Sequence, residues 1–419
     1  MRPVCAAIFI LEVVLGGCRF DLPEAPVDGL RRCTANSATC ICLDGSCVQC
    51  TSTEEHNCTD PKKPQCGADH TCRACRTNED CGAGACLEDG SCAVETEIIS
   101  ASPGGVSTPG CGVLGQPDCS LTQAIAELGA RNVIRLARGT YMVTGTDGVD
   151  FNLKSGTLVA RDAVLVRSGG LSPLVTVRNS QSLKLVGGIL RGPYSTDGVR
   201  CNTGGKLQIH EAIIEQMTES ALETNDCDFT ISRSVLRNNL RGGINMVTTF
   251  KVATITNNFV YGNGQGTQSA VAGMTLKLAT GSKVEFNTVV DNQTDIGSTS
   301  AGGIVCDVAT GAPNYDAPYN LVYRNRGGIG SQVQVIGTCT FQGSYQMAAA
   351  VDDNSLFLQQ PNDAQNPSYR LTSMSPMGVR DHEVAGYACM NLVDFEGDAR
   401  PQGTDGKCDM GADEYRVGQ

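Results

Sequence analysis

The chain has 419 residues, a formal charge of -12, 22 cysteines, no tryptophan and only 5% aromatic residues. So acidic a chain excludes nucleic acid as a partner, because a phosphate backbone needs a basic surface. The length allows more than one domain, and the cysteine count points to an oxidising compartment.

Met1-Arg2 opens an apolar run, Val4 to Leu15, that is too short to cross a bilayer and has the size of a secretory core. Residues 1–17 are expected to be an export signal, with Glu12 as its one departure, since a carboxylate there costs insertion energy. Leu15-Gly16-Gly17-Cys18 resembles the bacterial lipoprotein signal, in which small residues precede a cysteine that is acylated and becomes the new N-terminus. That resemblance implies lipid attachment at Cys18 and membrane lipid as a partner; a soluble secreted chain cut nearby is the alternative. Arg19 stands where an Asp would resemble the inner-membrane retention signal, which favours the outer membrane or cell surface. Residues 18–32 read as a linker.

Removing Cys5 with the signal and Cys18 to lipid leaves 20 of the 22 cysteines, an even number suited to disulfides. Twelve of them fall in residues 33–92 as three groups of four, Cys33 to Cys47, Cys50 to Cys72 and Cys75 to Cys92, each joined to the next by a CxxC. Related turns end the groups, Asp44-Gly45-Ser46-Cys47, Asp69-His70-Thr71-Cys72 and Asp89-Gly90-Ser91-Cys92. With few apolar residues to bury, such modules rely on bridges of roughly 2–4 kcal/mol each. Zinc or redox chemistry at Cys47/Cys50 and Cys72/Cys75 is the alternative. The segment resembles the cysteine-rich repeats between anchor and functional domain in surface lipoproteins of predatory and gliding bacteria, which implies a stalk.

From Ser120 the pattern changes. Ser120 can cap a short helix with Leu121, Ala124, Ile125 and Leu128 on one face and Gly129 at its end, placed to cover an exposed sheet end. Val133-Ile134-Arg135-Leu136 reads as the first strand. A nine-residue pattern then recurs as LVGGILRGP from Leu185, IHEAIIEQM from Ile209, ISRSVLRNN from Ile231, ITNNFVYGN from Ile255, VEFNTVVDN from Val284 and APYNLVYRN from Ala317. A second pattern keeps register with it, Gly198-Val199-Arg200, Ala221-Leu222-Glu223, Gly243-Ile244-Asn245, Gly273-Met274-Thr275 and Gly303-Ile304-Val305. Short strands at a coil-length period describe a parallel β-helix rather than a two-sheet sandwich, whose hairpin signals would come every 8 to 12 residues. Stacking predicts a column of Ile189, Ile213, Val235, Phe259, Thr288 and Leu321 filling the interior, and an Asn258, Asn287, Asn320 column that caps turn amides. The fold class is thus all-β, a parallel solenoid with an N-terminal capping helix behind a small disulfide-rich region.

On these residues the chain resembles the right-handed β-helix proteins of the pectin-lyase-like superfamily over residues 96–415. Its closing segments, Asp394-Phe395-Glu396-Gly397-Asp398-Ala399-Arg400-Pro401 and Cys408-Asp409-Met410-Gly411-Ala412-Asp413-Glu414-Tyr415, resemble the end of the choice-of-anchor Q domain of bacterial surface proteins. Lyases and hydrolases of that shape work through carboxylates on adjacent coils, often with Ca²⁺ or an Arg or Lys base. Outward positions here read Thr176, Arg200, Glu223, Asn245, Thr275, Val305, and Arg178, Asn202, Asn225, Val247, Lys277, Asp307, with one carboxylate per column. Arg200 and Glu223 then make a surface ion pair. The residual catalytic candidates are His210, Glu211 and Arg233. No cofactor is called for beyond the calcium-like spacing of Asp394, Glu396, Asp398 and Asp405, which lacks a mid-loop Gly and suits turn stabilisation with Arg400 better.

Insertions at Gly264 to Val271, Gln293 to Gly302 and Ala309 to Pro318 stretch the period, the first two from equivalent turns, and such loops commonly build a binding face. Proximity in sequence pairs Cys111 with Cys119, Cys201 with Cys227, Cys306 with Cys339 and Cys389 with Cys408. The expectation is a non-catalytic surface lipoprotein whose β-helix serves adhesion to polysaccharide, matrix or a surface protein. Its rival is a polysaccharide lyase or glycoside hydrolase, which carboxylates clustered on neighbouring coils would favour.

Overall fold

The computed structural model describes residues 60–415 except 145–147, 152, 248–249, 266–271, 295–300, 310–314, 328–333, 348–368, 374, 377, 385–386, 388, 390–391 and 402–406. Before residue 60 it describes 41–43, 46–48, Cys50 and Cys58. The expected export signal at residues 1–17, Cys18 and most of the first cysteine module lie outside the described residues. The chain divides into two compact units, Met1–Glu95 and Thr96–Gln419.

In the first unit each module ends in an antiparallel hairpin, Ile41–Leu43 with Ser46–Val48, Gln65–Cys66 with Cys72–Arg73 and Ala85–Cys86 with Cys92–Ala93. The Asp of the turn fixes two of them, Asp69 Oδ1 accepting from Thr71 N at 3.2 Å and Asp89 Oδ1 from Ser91 N at 3.1 Å. Cys50 bonds Cys66 and Cys58 bonds Cys72; Cys75 bonds Cys86 and Cys81 bonds Cys92. Both modules therefore share a first-to-third, second-to-fourth connectivity, and the two halves of Cys72-Arg73-Ala74-Cys75 serve different modules as disulfides, not as a metal pair.

The second unit is a parallel β-helix of three sheets with 8, 9 and 8 strands. The first sheet runs from Ile98–Val106 to Lys283–Glu285, the second from Gly139–Val143 to Tyr345–Met347, and the third from Val149–Phe151 to Val335–Gly337. The rod starts one strand earlier than Val133, because Ile98–Val106 pairs in parallel with Val133–Leu136. The helix Leu121–Ala126 follows that strand, Ser120 Oγ accepting from Gln123 N at 3.3 Å, and buries Leu121, Ala124 and Ile125 against the first coils.

Inside, like stacks on like. Leu158, Leu185, Ile209, Ile231, Ile255 and Val284 line the first sheet, and Val175, Val199, Leu222, Ile244 and Ile304 the third, all fully buried. The second sheet corrects the sequence reading. Ile189, Ile213, Val235, Phe259, Thr288 and Leu321 do stack in register. They face outward, however, and the interior column is their neighbours Leu190, Ile214, Leu236, Val260, Val289 and Val322. A one-residue shift in a strand exchanges its faces. The outward column is covered by residues 369–415, whose Tyr369, Leu371, Val379, Met410 and Ala412 form a second core with Val235, Phe259, Tyr261, Leu321 and Tyr323. Phe395 meets Phe259 edge-on at 4.8 Å, and Tyr369 meets Tyr261 at 4.7 Å.

Two side-chain ladders hold the turns. Between the first and second sheets, Asn258 N and Nδ2 donate to Asn287 Oδ1, and Asn287 N and Nδ2 to Asn320 Oδ1, at 3.0–3.1 Å. Between the second and third sheets an equivalent column, Asn239, Asn263, Asn292 and Asn325, does the same and ends on Gln334.

Candidate functional site

The turn from second to third sheet and the outer face of the third sheet form the candidate site. Coil pairing places Thr176 on Arg200, Arg200 on Glu223, Glu223 on Asn245 and Asn245 on Thr275. Arg200 Nε lies 3.0 Å from Glu223 Oε1 and its guanidinium also meets Asp197. Glu219 Oε2 lies 2.7 Å from Arg241. Sequence reading counted strand positions and so missed Asp197 and Glu219, which stand in the turns just before their strands. Three carboxylates from neighbouring coils thus share the site with Arg200 and Arg241.

The electrostatics follow from burial. Asp197 is fully buried, and desolvation raises its carboxyl above the ordinary value against the pull of Arg200 and of Ser220 N, which donates to it at 3.1 Å. Burial raises Glu219, with the Asp197 charge adding to it and Arg241 opposing. Burial also raises Glu223, helped by Asp197 and Glu219 and opposed by Arg200. Such a trio holds protons more readily than free carboxylates do.

Beside this polar face the turn exposes apolar side chains: Leu171, Tyr194 and Leu240 are 79%, 55% and 45% exposed. Tyr194 adjoins Ser195, which bridges to Ser172 of the preceding coil next to Leu171. Thr218 N donates to Ser195 O, and Leu240 N to Met217 O, so the edge runs along successive coils. The first two inserted loops leave the same edge, from Asn263 and Asn292 of the ladder; their middles lie outside the described residues.

The predicted trio His210, Glu211 and Arg233 sits elsewhere, at the turn from first to second sheet. His210 Nδ1 is 2.7 Å from Ser232 Oγ, and Glu211 is held between Arg161 and Arg233. Glu211 reaches Arg161 two coils away because Gly187 stands between, where an added Cβ would come within 2.7 Å of Arg161 Cα. Arg233 in turn packs on Gly397. These charges tie coils and the closing segment together.

That segment is locked by Arg400. Its fully buried guanidinium donates to Glu414 Oε1 at 2.8 Å, to Gly411 O and Ala412 O at 2.8 Å and to Asn257 Oδ1 at 3.2 Å, over the Phe286 ring. Asp394 Oδ1 accepts from Asp398 N at 2.8 Å, closing the turn. Asp394, Glu396 and Asp413 have carboxylate oxygens within 4.8 Å of one another and are the described carboxylates close enough to share a hard cation. Arg370 pairs with Glu396, and Asp405 lies outside the described residues.

The rod's cysteines bond as Cys111–Cys119, Cys201–Cys227, Cys306–Cys339 and Cys389–Cys408. No described helix is long and apolar enough to cross a membrane.

No family model and no curated protein matches the chain. Among solved structures it is similar to pectate lyase Pel9A, at 17% identity and TM-score 0.43, covering 76% of this chain and 96% of that one. It is also similar to a rhamnogalacturonan lyase, at 14% identity and TM-score 0.34, covering 66% of this chain and 94% of that one. The three-sheet coil itself is that of a parallel β-helix.

Proposed function

We propose that the chain is an exported surface lipoprotein, anchored through Cys18, whose rod binds an extended polysaccharide along the third sheet without turning it over. The observation that carries this reading is Tyr194, more than half exposed beside a row of arginine, carboxylate and amide side chains. An aromatic face takes the C–H face of a sugar ring, while paired planar polar groups take vicinal hydroxyls. Coils repeat at about 4.8 Å, close to the length of one sugar unit, so successive coils meet successive sugars. Each carboxylate already has an arginine partner, which suits holding hydroxyls better than transferring protons.

The test is retention of the mature chain on immobilised neutral polysaccharides. Tyr194→Ala should weaken binding at least fivefold with an unchanged melting temperature; retention equal to wild type would overturn the reading. One observation favours the rival: burial, with the Asp197 charge beside them, raises the proton affinity of Glu219 and Glu223, as a general acid requires. Release of sugar ends or unsaturated products by wild type, abolished in Glu223→Gln, would establish it.

A further inference from the structure

The first sheet carries a trough that none of the above uses. It has a volume of about 470 Å³ and crosses six successive coils, from Asn132 to Thr254. At the usual strand spacing that is about 24 Å of continuous groove. Strand pairing lays Thr157, Lys184, Gln208, Thr230 and Thr254 in one outward row. Ser182, Lys206 and Asp228 lie in a second row, two residues along each strand. Asp228 is the only carboxylate in the lining, against Lys184 and Lys206.

This basic lining contrasts with the chain as a whole. Of its nine lysines, Lys184, Lys206 and Lys283 stand on strands of this sheet and Lys154 just before one, in a molecule of formal charge -12. Lys184 and Lys206 stand one coil and two residues apart, with hydroxyl and amide side chains continuing the row on either side. An extended polymer with an acid group on its repeating unit meets here cations along its path and hydrogen-bonding groups between them. The face by Tyr194 has three carboxylates to two arginines and no such bias.

We infer that the trough is a second, separate site for an anionic polysaccharide, one bearing carboxylate or sulfate groups. The two sites lie on different sheets of one rod, so a single molecule can hold two chains at once; that bridging, though not the trough itself, rests on the reading of the third sheet.

The experiment measures binding of the full chain to carboxymethylcellulose, with hydroxyethylcellulose as the uncharged polymer of the same backbone and single-stranded DNA as an unrelated polyanion. Wild type should prefer carboxymethylcellulose at least tenfold over both, with affinity falling as salt rises. Lys184→Glu/Lys206→Glu should lose that preference, and Asp228→Asn, which keeps the acceptor for Val252 N, should strengthen binding severalfold. Equal binding of the two celluloses, equal binding of DNA, or carboxymethylcellulose binding unaffected in a lysine double variant of wild-type melting temperature would each overturn the inference. Loss in Tyr194→Ala alone would overturn the trough and leave the third-sheet site standing.

Discussion

The second asparagine ladder gives the sharpest energetic expectation. Asn292 is fully buried; its Oδ1 accepts from Asn263 N at 3.1 Å and Asn263 Nδ2 at 2.9 Å, and its Nδ2 donates to Val260 O and Asn325 Oδ1 at 2.9 Å. Asn292→Ala takes the acceptor from two buried donors and the donor from a buried carbonyl. Each of the three orphaned groups costs about 1–3 kcal/mol, which puts the loss at roughly 3–9 kcal/mol. Urea unfolding of the full chain with disulfides intact, followed by far-ultraviolet circular dichroism, should show a clearly lower midpoint. Thr230→Ala on the outer face of the first sheet is the control, expected within about 0.5 kcal/mol of wild type. Asn292→Asp keeps the acceptor but buries a charge, so it should be at least as damaging at neutral pH and recover as acid protonates it. If Asn292→Ala unfolds with the Thr230→Ala midpoint, the ladder contributes nothing and the argument fails.

Three further outcomes follow from the same contacts. Replacing Cys201 and Cys227 together by Ala opens a bridge of sequence separation 26 and should cost about 3.5 kcal/mol by chain entropy, read from the same urea curves; a loss under about 1 kcal/mol would count against it. Arg400→Ala strands the buried Glu414 carboxylate and frees four carbonyls, so limited proteolysis should release fragments of residues 369–415 while the coils survive; an unchanged digestion pattern would refute the lock. Burial pushes Glu414 up to about 7, and burial with Glu396 alongside pushes Asp413 up to about 9. Both bind protons more tightly folded than unfolded, so their stabilisation is complete below about pH 4 and is lost as pH rises through those values. The melting temperature should fall from pH 5 to 9, with or without chelator, and a flat profile would contradict the assignment.

The period of the rod was legible because a coil repeats its small turn residues as faithfully as its apolar ones. The face assignment on the second sheet was not. Phe259-Val260-Tyr261, Thr288-Val289-Val290 and Leu321-Val322-Tyr323 are strands of three residues buried throughout, so alternation carries no phase there. What makes both faces apolar is the closing segment, more than 100 residues further on in sequence for Phe259, which local pattern cannot reveal. The second Asn ladder was in plain view as the last residue of four quoted repeats, Asn239, Asn263, Asn292 and Asn325, and could have been found by asking what caps that turn.

The candidate site was harder to read for a related reason. On a β-helix the strands repeat, but the turns before them vary in length, so residues such as Asp197 and Glu219 cannot be aligned until the strands are. Ser172 bridges Ser195, 23 residues on, whereas the strands that follow, Val175–Val177 and Val199–Asn202, pair at an offset of 24. One residue is thus absorbed in the turn that carries Asp197, three residues before Arg200 and its partner, where a column count would not look. Chemistry on such a rod concentrates where the period slips, because the interior dictates apolar residues within strands while the turns answer only to solvent and ligand. Tyr194 and the inserted loops lie on that same edge, which is why the binding face is sought there and not among the regular columns.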